Sequence, residues 1–225
     1  MHATSDRTTT IDVNSQIKEQ PTCVILFAKY PARDKAKTRL QPALGIDGAA
    51  DMARQLLLHS VEQAVASDFA IELCVSPAQT DACWQALDLP ESLQWSAQAE
   101  GDLGRRMLIA SQNALEKYEK VVLIGTDCPS LTAERIQTAV QQLDEDNAVM
   151  IPAIDGGYVL LGFNQVDESL FSNISWSTSS VAEITKQRIA ALGWTLALLP
   201  ALHDIDEPKD LEHLPSDWRN TLNKI

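Results

Sequence analysis

KVVLIGTDCPSL, Lys120 to Leu131, is the stretch whose reading decides the fold. Four apolar residues, Val121 to Ile124, run without a polar interruption and then meet Gly125 and, two residues on, Asp127. A strand covered on both faces of a parallel sheet reads as such an unbroken run. An acid placed directly after it stands at the strand's carboxyl end, where open α/β sheets bind ligands. Working outward, TCVILFAK (Thr22 to Lys29) and FAIELCVS (Phe69 to Ser76) repeat the pattern upstream. Downstream it recurs in Ala148 to Pro152, in GGYVLLGF from Gly156, and in TLALLP from Thr195. A short strand near Leu93 to Ser96 completes the set.

Helical periodicity fills the gaps between strands. It runs from Gly45 to Ala66, from Asp81 to Leu87, from Asp102 to Tyr118 and from Thr132 to Leu143. A further helix starts at Ser179, a good N-cap, and stops at Gly193, a C-cap residue; a short helix begins near Pro208. Strands that alternate with helices predict parallel strands joined by right-handed crossovers. The fold class is therefore α/β, a three-layer α/β/α sandwich around a mostly parallel sheet. The length of 225 residues suits one substantial core, burying roughly 70% of the unfolded chain's surface. Residues 1–20 are polar and read as a flexible arm, and 21–225 as one domain.

The formal net charge of -13 argues against a nucleic-acid polymer or an anionic membrane as partner. It leaves room for a small anion, which answers to the local field of a few residues. No secretory leader is expected in the first twenty residues, and no apolar run is long enough for a membrane span. Cys23, Cys74, Cys83 and Cys128 follow no metal-binding spacing. They read as structural thiols of a reducing compartment, the cytoplasm.

Chemistry-bearing residues gather at predicted strand ends. KYPARDKAKTR, after the first strand, holds Lys29, Arg33, Lys35, Lys37 and Arg39. Such a loop can grip phosphate oxygens, although a solvated basic loop has the same composition. It lacks the Walker A spacing. Asp127 fits a hard cation that bridges to phosphates, or an Asx turn. Cys128 beside it has no base to make it a nucleophile. In Asp155-Gly156-Gly157-Tyr158 the glycines allow close backbone approach, while Asp155 and Tyr158 could meet an acceptor; a plain turn is the alternative. Asp204 and Asp206 share a face of an extended segment, with helix capping as the competing task for Asp206 and a structural role for His203. Trp176 can stack on a base or sugar, or pack into the core.

Taken in order, these motifs resemble the bacterial family DUF2064, glycosyltransferase-A-like proteins also described as transferase 1 associated with radical SAM proteins. The resemblance rests on KYPARDKAKTRL, GTDCPSL, DGGYVLLGF, WSTSSV and DIDEPKDL, motifs that run from Lys29 to Leu211 within a likeness taken from Cys23 to about Leu214. It implies a nucleotide-diphospho-sugar transferase (GT-A-like) fold and a transferase that needs Mg²⁺ or Mn²⁺. By that resemblance Asp127 contacts the cation and Asp206 is a second contact. Lys37 and Arg39 neutralise the donor's phosphates. A nucleoside diphosphate sugar is the implied donor. Nucleotidyl transfer from a triphosphate to a phosphorylated acceptor is the alternative chemistry, and a non-catalytic nucleotide- or partner-binding protein the alternative class. One residue departs from the family pattern: Asp34 stands at the usual loop glycine. Its side chain adds negative charge and restricts the backbone, so either the loop bends differently or the phosphate grip is weaker.

Overall fold

A computed structural model describes residues 21–222 of the chain; the N-terminal arm expected over 1–20 lies outside them. Seven strands form one sheet: β1 (Thr22–Lys29), β2 (Ala70–Ser76), β3 (Gln94–Ala97), β4 (Lys120–Ile124), β5 (Ala148–Pro152), β6 (Tyr158–Phe163) and β7 (Leu196–Leu198). Their spatial order is β3-β2-β1-β4-β6-β5-β7. The helices are α1 (Gln41–Ala66), α2 (Leu103–Leu115), α3 (Ala133–Gln142), α4 (Val181–Ala191) and α5 (Ser216–Leu222).

The apolar runs are explained by what lies on each side of them. Val24, Leu26 and Ala28 of β1 join Leu57 and Val61 of α1 and Ile136 and Ala139 of α3 in one buried cluster. Cys23 and Ile25, the alternate residues, join Met107 and Ala110 of α2 and Ile189 of α4 in another. The two sets of β4, Val122 with Ile124 and Val121 with Leu123, divide in the same way. Successive strand residues point to opposite faces, so a strand between two helical layers must be apolar at every position. The result is an α/β/α sandwich.

The sheet is mixed rather than uniformly parallel. β6 runs antiparallel to both its neighbours, β4 and β5. The connection 153–157 is too short for a crossover, which needs a dozen or more residues. It closes instead as a hairpin, with Ala153 N–H donating to Gly157 O (3.0 Å) and Gly156 N–H to Ala153 O (3.1 Å).

Other boundaries moved for local reasons. The backbone leaves helical geometry at Gly45 (φ 71°, ψ 175°), so the first turn of α1 is set off from the rest. The helix expected from Asp81 is a 3₁₀ turn, Ala82–Ala86, capped by the Asp81 carboxylate. Ser180 rather than Ser179 caps α4, and it makes no side-chain capping bond. Pro208–His213 is a 3₁₀ turn, and α5 follows it where the sequence reading expected no element.

What matters for a ligand is the strand order around β1. From β1 the chain moves one way to β2 and β3, then crosses back to β4 on the opposite flank. α1 covers one face and α2 the other. The loops after β1 and β4 lead into α1 and α3 on one face and lie side by side at the carboxyl ends, where the strand order reverses, the switch point at which such sheets take ligands.

Candidate functional site

Lys37, Asp127 and Asp206 meet at those strand ends. The Lys37 ammonium lies 2.6 Å from Oδ1 of Asp127 and 2.6 Å from Oδ1 of Asp206. Its side chain is only 8% exposed, whereas the two carboxylates are 47% and 40% exposed. Burial alone would push the ammonium's pKa down; the attraction of both carboxylates outweighs it, and the net shift is upward.

Each group is held in place by a specific local structure. Asp127 follows β4 directly, and its carbonyl accepts the N–H of Ile205 at 2.8 Å, which draws the tail segment to the end of the sheet. Ile205 is fully buried with Leu40, Ala49, Met52, Leu56 and Leu214. Leu40 closes the loop that carries Lys37, so this small apolar cluster ties the first loop to the tail. The Asp210 carboxylate accepts the N–H groups of Asp206 (3.1 Å) and Glu207 (2.7 Å). Glu207 is the cap of the 3₁₀ turn, which leaves the Asp206 side chain for Lys37.

Asp34 takes a left-handed backbone, φ 68°. That is the region a glycine would occupy without strain and one that Asp tolerates better than most residues. The substitution therefore leaves the loop with a glycine-like turn at this position. Lys37 is also left-handed, at φ 44°.

Asp204 lies beside these acids. Its pKa is pushed up to about 6, first by burial and then by repulsion from Asp155, Asp206 and Asp127. A carboxyl whose folded pKa exceeds its unfolded value of roughly 3.9 takes up its proton more readily when folded. Its contribution to stability is full below the unfolded pKa and is lost as pH rises through about 6. In cation-free buffer, Asp204→Asn should match the parent protein at pH 4. At pH 8 it should be more stable by about 1 kcal/mol, a figure reduced for partial solvent screening. Urea denaturation across that range measures the difference; parallel pH curves would show that Asp204 carries no such cost.

The remaining sequence-selected residues are placed as follows. Lys29 and Arg39 are exposed and make no side-chain ion pair among the described residues. Arg33 forms an exposed pair with Asp47, with Nε 2.5 Å and Nη2 3.1 Å from the two carboxylate oxygens. Asp155 is exposed, and its Oδ1 accepts the N–H of Gly157 at 2.9 Å. Gly156 has φ 98°, and a Cβ there would stand 2.1 Å from the carbonyl oxygen of Ser179. Its close approach is thus to the backbone that leads into α4, whose Ala182 N–H donates to Gly156 O at 2.9 Å. The Tyr158 hydroxyl turns inward to the sulfur of Met107 at 3.8 Å, and burial raises its pKa. Trp176 packs against Gly104 of α2, and its indole Nε1 is buried without a hydrogen-bond partner. Cys23, Cys74 and Cys128 are buried, with thiol pKa values pushed up to about 12, 11 and 11 chiefly by burial, the setting of inert thiols.

One loop at the strand ends escaped the sequence reading. Gln98, just after β3, donates to the carbonyls of Ala28 and Cys74, both at 3.1 Å, and so closes the ends of β1 and β2. Arg106 donates to Gly101 O at 2.9 Å and to Gln98 Oε1 at 3.3 Å. The signal was present in QAEGDLG, a glycine (Gly101, φ 113°) and a capping Asp102 squeezed between a strand and a helix. A surface hollow of about 270 Å³ flanks the first loop, lined by Tyr30, Pro31, Arg33 and Asp47 among others. A larger one, about 390 Å³, lies between α1 and α5, lined by Arg54, His59 and Trp218 but by none of the three meeting residues. Among the described residues no three His, Cys, Asp or Glu side chains converge as a metal-binding group.

The sequence profile described as "Uncharacterized protein conserved in bacteria (DUF2064)" matches residues 58–178. Among solved structures, the fold is similar to that of a Desulfovibrio desulfuricans G20 protein provisionally described as a nucleotide-diphospho-sugar transferase. Identity is 31% over 90% of this chain and 89% of that one, with a TM-score of 0.82. More distant likenesses, which concern the fold alone, include two other proteins. The first is Rv0371c of Mycobacterium tuberculosis H37Rv, solved in complex with manganese (13% identity, TM-score 0.54, covering 92% of this chain and 100% of that one). The second is the inositol-1-phosphate CTP transferase of T. maritima (14% identity, TM-score 0.51, covering 91% and 96%). No curated protein matches the chain. The architecture is that of the GT-A-like nucleotide-diphospho-sugar transferases.

Proposed function

We propose, from the premise that this chain belongs to the DUF2064 family, that it is a metal-dependent transferase acting on a nucleoside diphosphate sugar. The observation that carries this reading is the meeting of Lys37, Asp127 and Asp206 at the switch point of the sheet. The donor set suits a hard divalent cation. Two carboxylate oxygens stand within 2.6 Å of a single point now taken by an ammonium, and both side chains retain solvent access. Mg²⁺ is commonly held by one or two carboxylates together with phosphate oxygens and water, so two acids without a third are enough. Asp127 and Asp206 would hold Mg²⁺ or Mn²⁺; when bound, the cation supplies neutralisation of the diphosphate as it leaves.

The chain's own groups account for the rest. Lys37 and the exposed Arg39 and Lys29 balance charge growing on the leaving diphosphate. The acceptor's oxygen bonds to the sugar carbon as the bond to the diphosphate breaks. Asp155, exposed on the neighbouring turn, is the base to which the acceptor's proton passes.

A second reading is nucleotidyl transfer, in which a phosphorylated acceptor attacks a nucleoside triphosphate and pyrophosphate departs. The likeness in fold to the T. maritima CTP transferase favours it. Calorimetry with nucleoside diphosphate sugars and with triphosphates, each with and without Mn²⁺, separates the two. Cation-dependent binding of a sugar nucleotide supports the first, and triphosphate consumption with pyrophosphate release the second. Binding without turnover would indicate a non-catalytic nucleotide-binding protein, and binding of neither donor removes the transferase reading. Asp127→Asn should weaken cation-dependent donor binding at least tenfold, about 1.4 kcal/mol. Unchanged binding would take Asp127 out of the site.

A further inference from the structure

We infer that Lys37 is an internal counter-ion that holds the cation site shut, so that a divalent cation enters by displacing its ammonium from Asp127 and Asp206. The inference rests on the proposed reading of those two acids as cation ligands. It goes further by making one residue compete with the cation and serve the phosphates in turn.

Three observations support it. The ammonium stands equally close to the two acids, 2.6 Å from an oxygen of each, so it occupies the point between them that a cation would need. The Lys37 side chain is the buried member of the trio and the acids the exposed ones, so a cation arriving from solvent meets the acids first. Lys37 also sits on a loop rather than inside a helix or strand, with left-handed backbone at Asp34 and again at Lys37 itself. A change at a few such dihedrals can re-aim a side chain without unfolding its neighbours.

The energetics make this a selective lock. A bare cation gains the two carboxylates only by leaving a largely buried ammonium without its partners, which is costly. A cation that arrives on a diphosphate brings the anion to which the displaced ammonium can pair. Lys37 thus lowers the protein's affinity for free cation and couples cation entry to phosphate entry. Such coupling is reciprocal between the two ligands.

The test is Mn²⁺ alone, titrated into the full chain and followed by the loss of the free-ion electron paramagnetic resonance signal. Lys37→Met and Lys37→Gln remove the competing charge while keeping much of the side chain's bulk, and thermal unfolding confirms that each is folded. Both should bind Mn²⁺ at least tenfold more tightly than the parent protein. In the parent protein, saturating Mn²⁺ should raise the rate of reductive methylation at Lys37, read by peptide mass spectrometry. Equal or weaker Mn²⁺ binding by both variants, or a Lys37 that stays equally protected, overturns displacement while leaving the two acids as cation ligands. Failure of the parent protein and both variants to bind Mn²⁺, even with a sugar nucleotide or triphosphate present, overturns the cation reading itself and displacement with it.

Discussion

Gly156→Ala is expected to destabilise the protein by about 3 kcal/mol. Two costs add at this position. A residue with a Cβ pays roughly 1–2 kcal/mol for a left-handed backbone, and Gly156 has φ 98°. The new methyl would also lie 2.1 Å from the Ser179 carbonyl oxygen and 2.5 Å from that residue's Cα. Both are backbone atoms, so no side chain can swing aside, and forced overpacking typically costs about 1–3 kcal/mol. Gly157→Ala is the internal control. Its Cβ would come no nearer than 3.3 Å to any neighbouring atom, the Asp155 carboxylate, and its backbone is not left-handed. Urea denaturation of both variants should show a large drop in midpoint for the first and a small one for the second. Equal midpoints would mean that the segment leading into α4 moves freely and that the tight approach has no energetic weight.

A comparable loss, about 3 kcal/mol at pH 7, is expected when Asp127 and Asp206 are both replaced by Asn. The double variant strands an ammonium that is only 8% exposed. Removing the partner of a buried charge costs roughly 3–5 kcal/mol; the lower end applies because the lost carboxylates are half in solvent and because Asp204 is freed of two repulsive neighbours. The pH dependence has a definite sign. Lys37's folded pKa is raised in the parent protein, so its contribution is present below the unfolded pKa, roughly 10.4, and is lost only as pH climbs through the higher folded value. The penalty in the variant should therefore be full at neutral pH. Adding Lys37→Met to the double variant removes the stranded charge and should recover at least half of the lost stability. Chemical denaturation of the parent, double and triple variants tests this. A triple variant no more stable than the double would show that the acids matter for something other than the buried ammonium.

Much of the architecture was legible in the sequence because burial on both faces leaves a strong mark. Val121 to Ile124 and Thr22 to Lys29 could hardly be anything but interior strands, and both were located to within a residue. The antiparallel β6 was less visible, since its own residues look like those of any interior strand. Only the shortness of the connection 153–157 gives it away. α5 was missed because Ser216–Leu222 offers too little periodicity to stand out.

The site divides in a similar way. Charged residues at strand ends were easy to find, and Lys37, Asp127 and Asp206 do come together. That the lysine would pair with both acids was not legible, because it depends on two loops 169 residues apart in the chain being tied by Leu40 and Ile205. Tyr158 and Trp176 illustrate the opposite difficulty. An aromatic beside glycines or serines can serve a ligand or a core with the same local sequence, and here the Tyr158 hydroxyl meets Met107 while Trp176 packs on Gly104. Gln98 was overlooked because a side-chain amide that bonds two strand-end carbonyls leaves no periodic trace.

The small cluster around Ile205 has a consequence for how the protein becomes competent during folding. Every strand of the sheet lies before residue 199, but the acid pair exists only once the last part of the chain has docked against the first loop. Tail docking is a long-range contact, and peripheral units of this kind open at a lower free energy than the interior strands. On the proposed reading of the acid pair, ligand capture and closure of the tail would be one equilibrium viewed from two ends. A cation-bound donor held through Asp127 and Asp206 would act as the final stitch, slowing hydrogen exchange at the Ile205 amide, which bonds to Asp127, more than in the interior of the sheet.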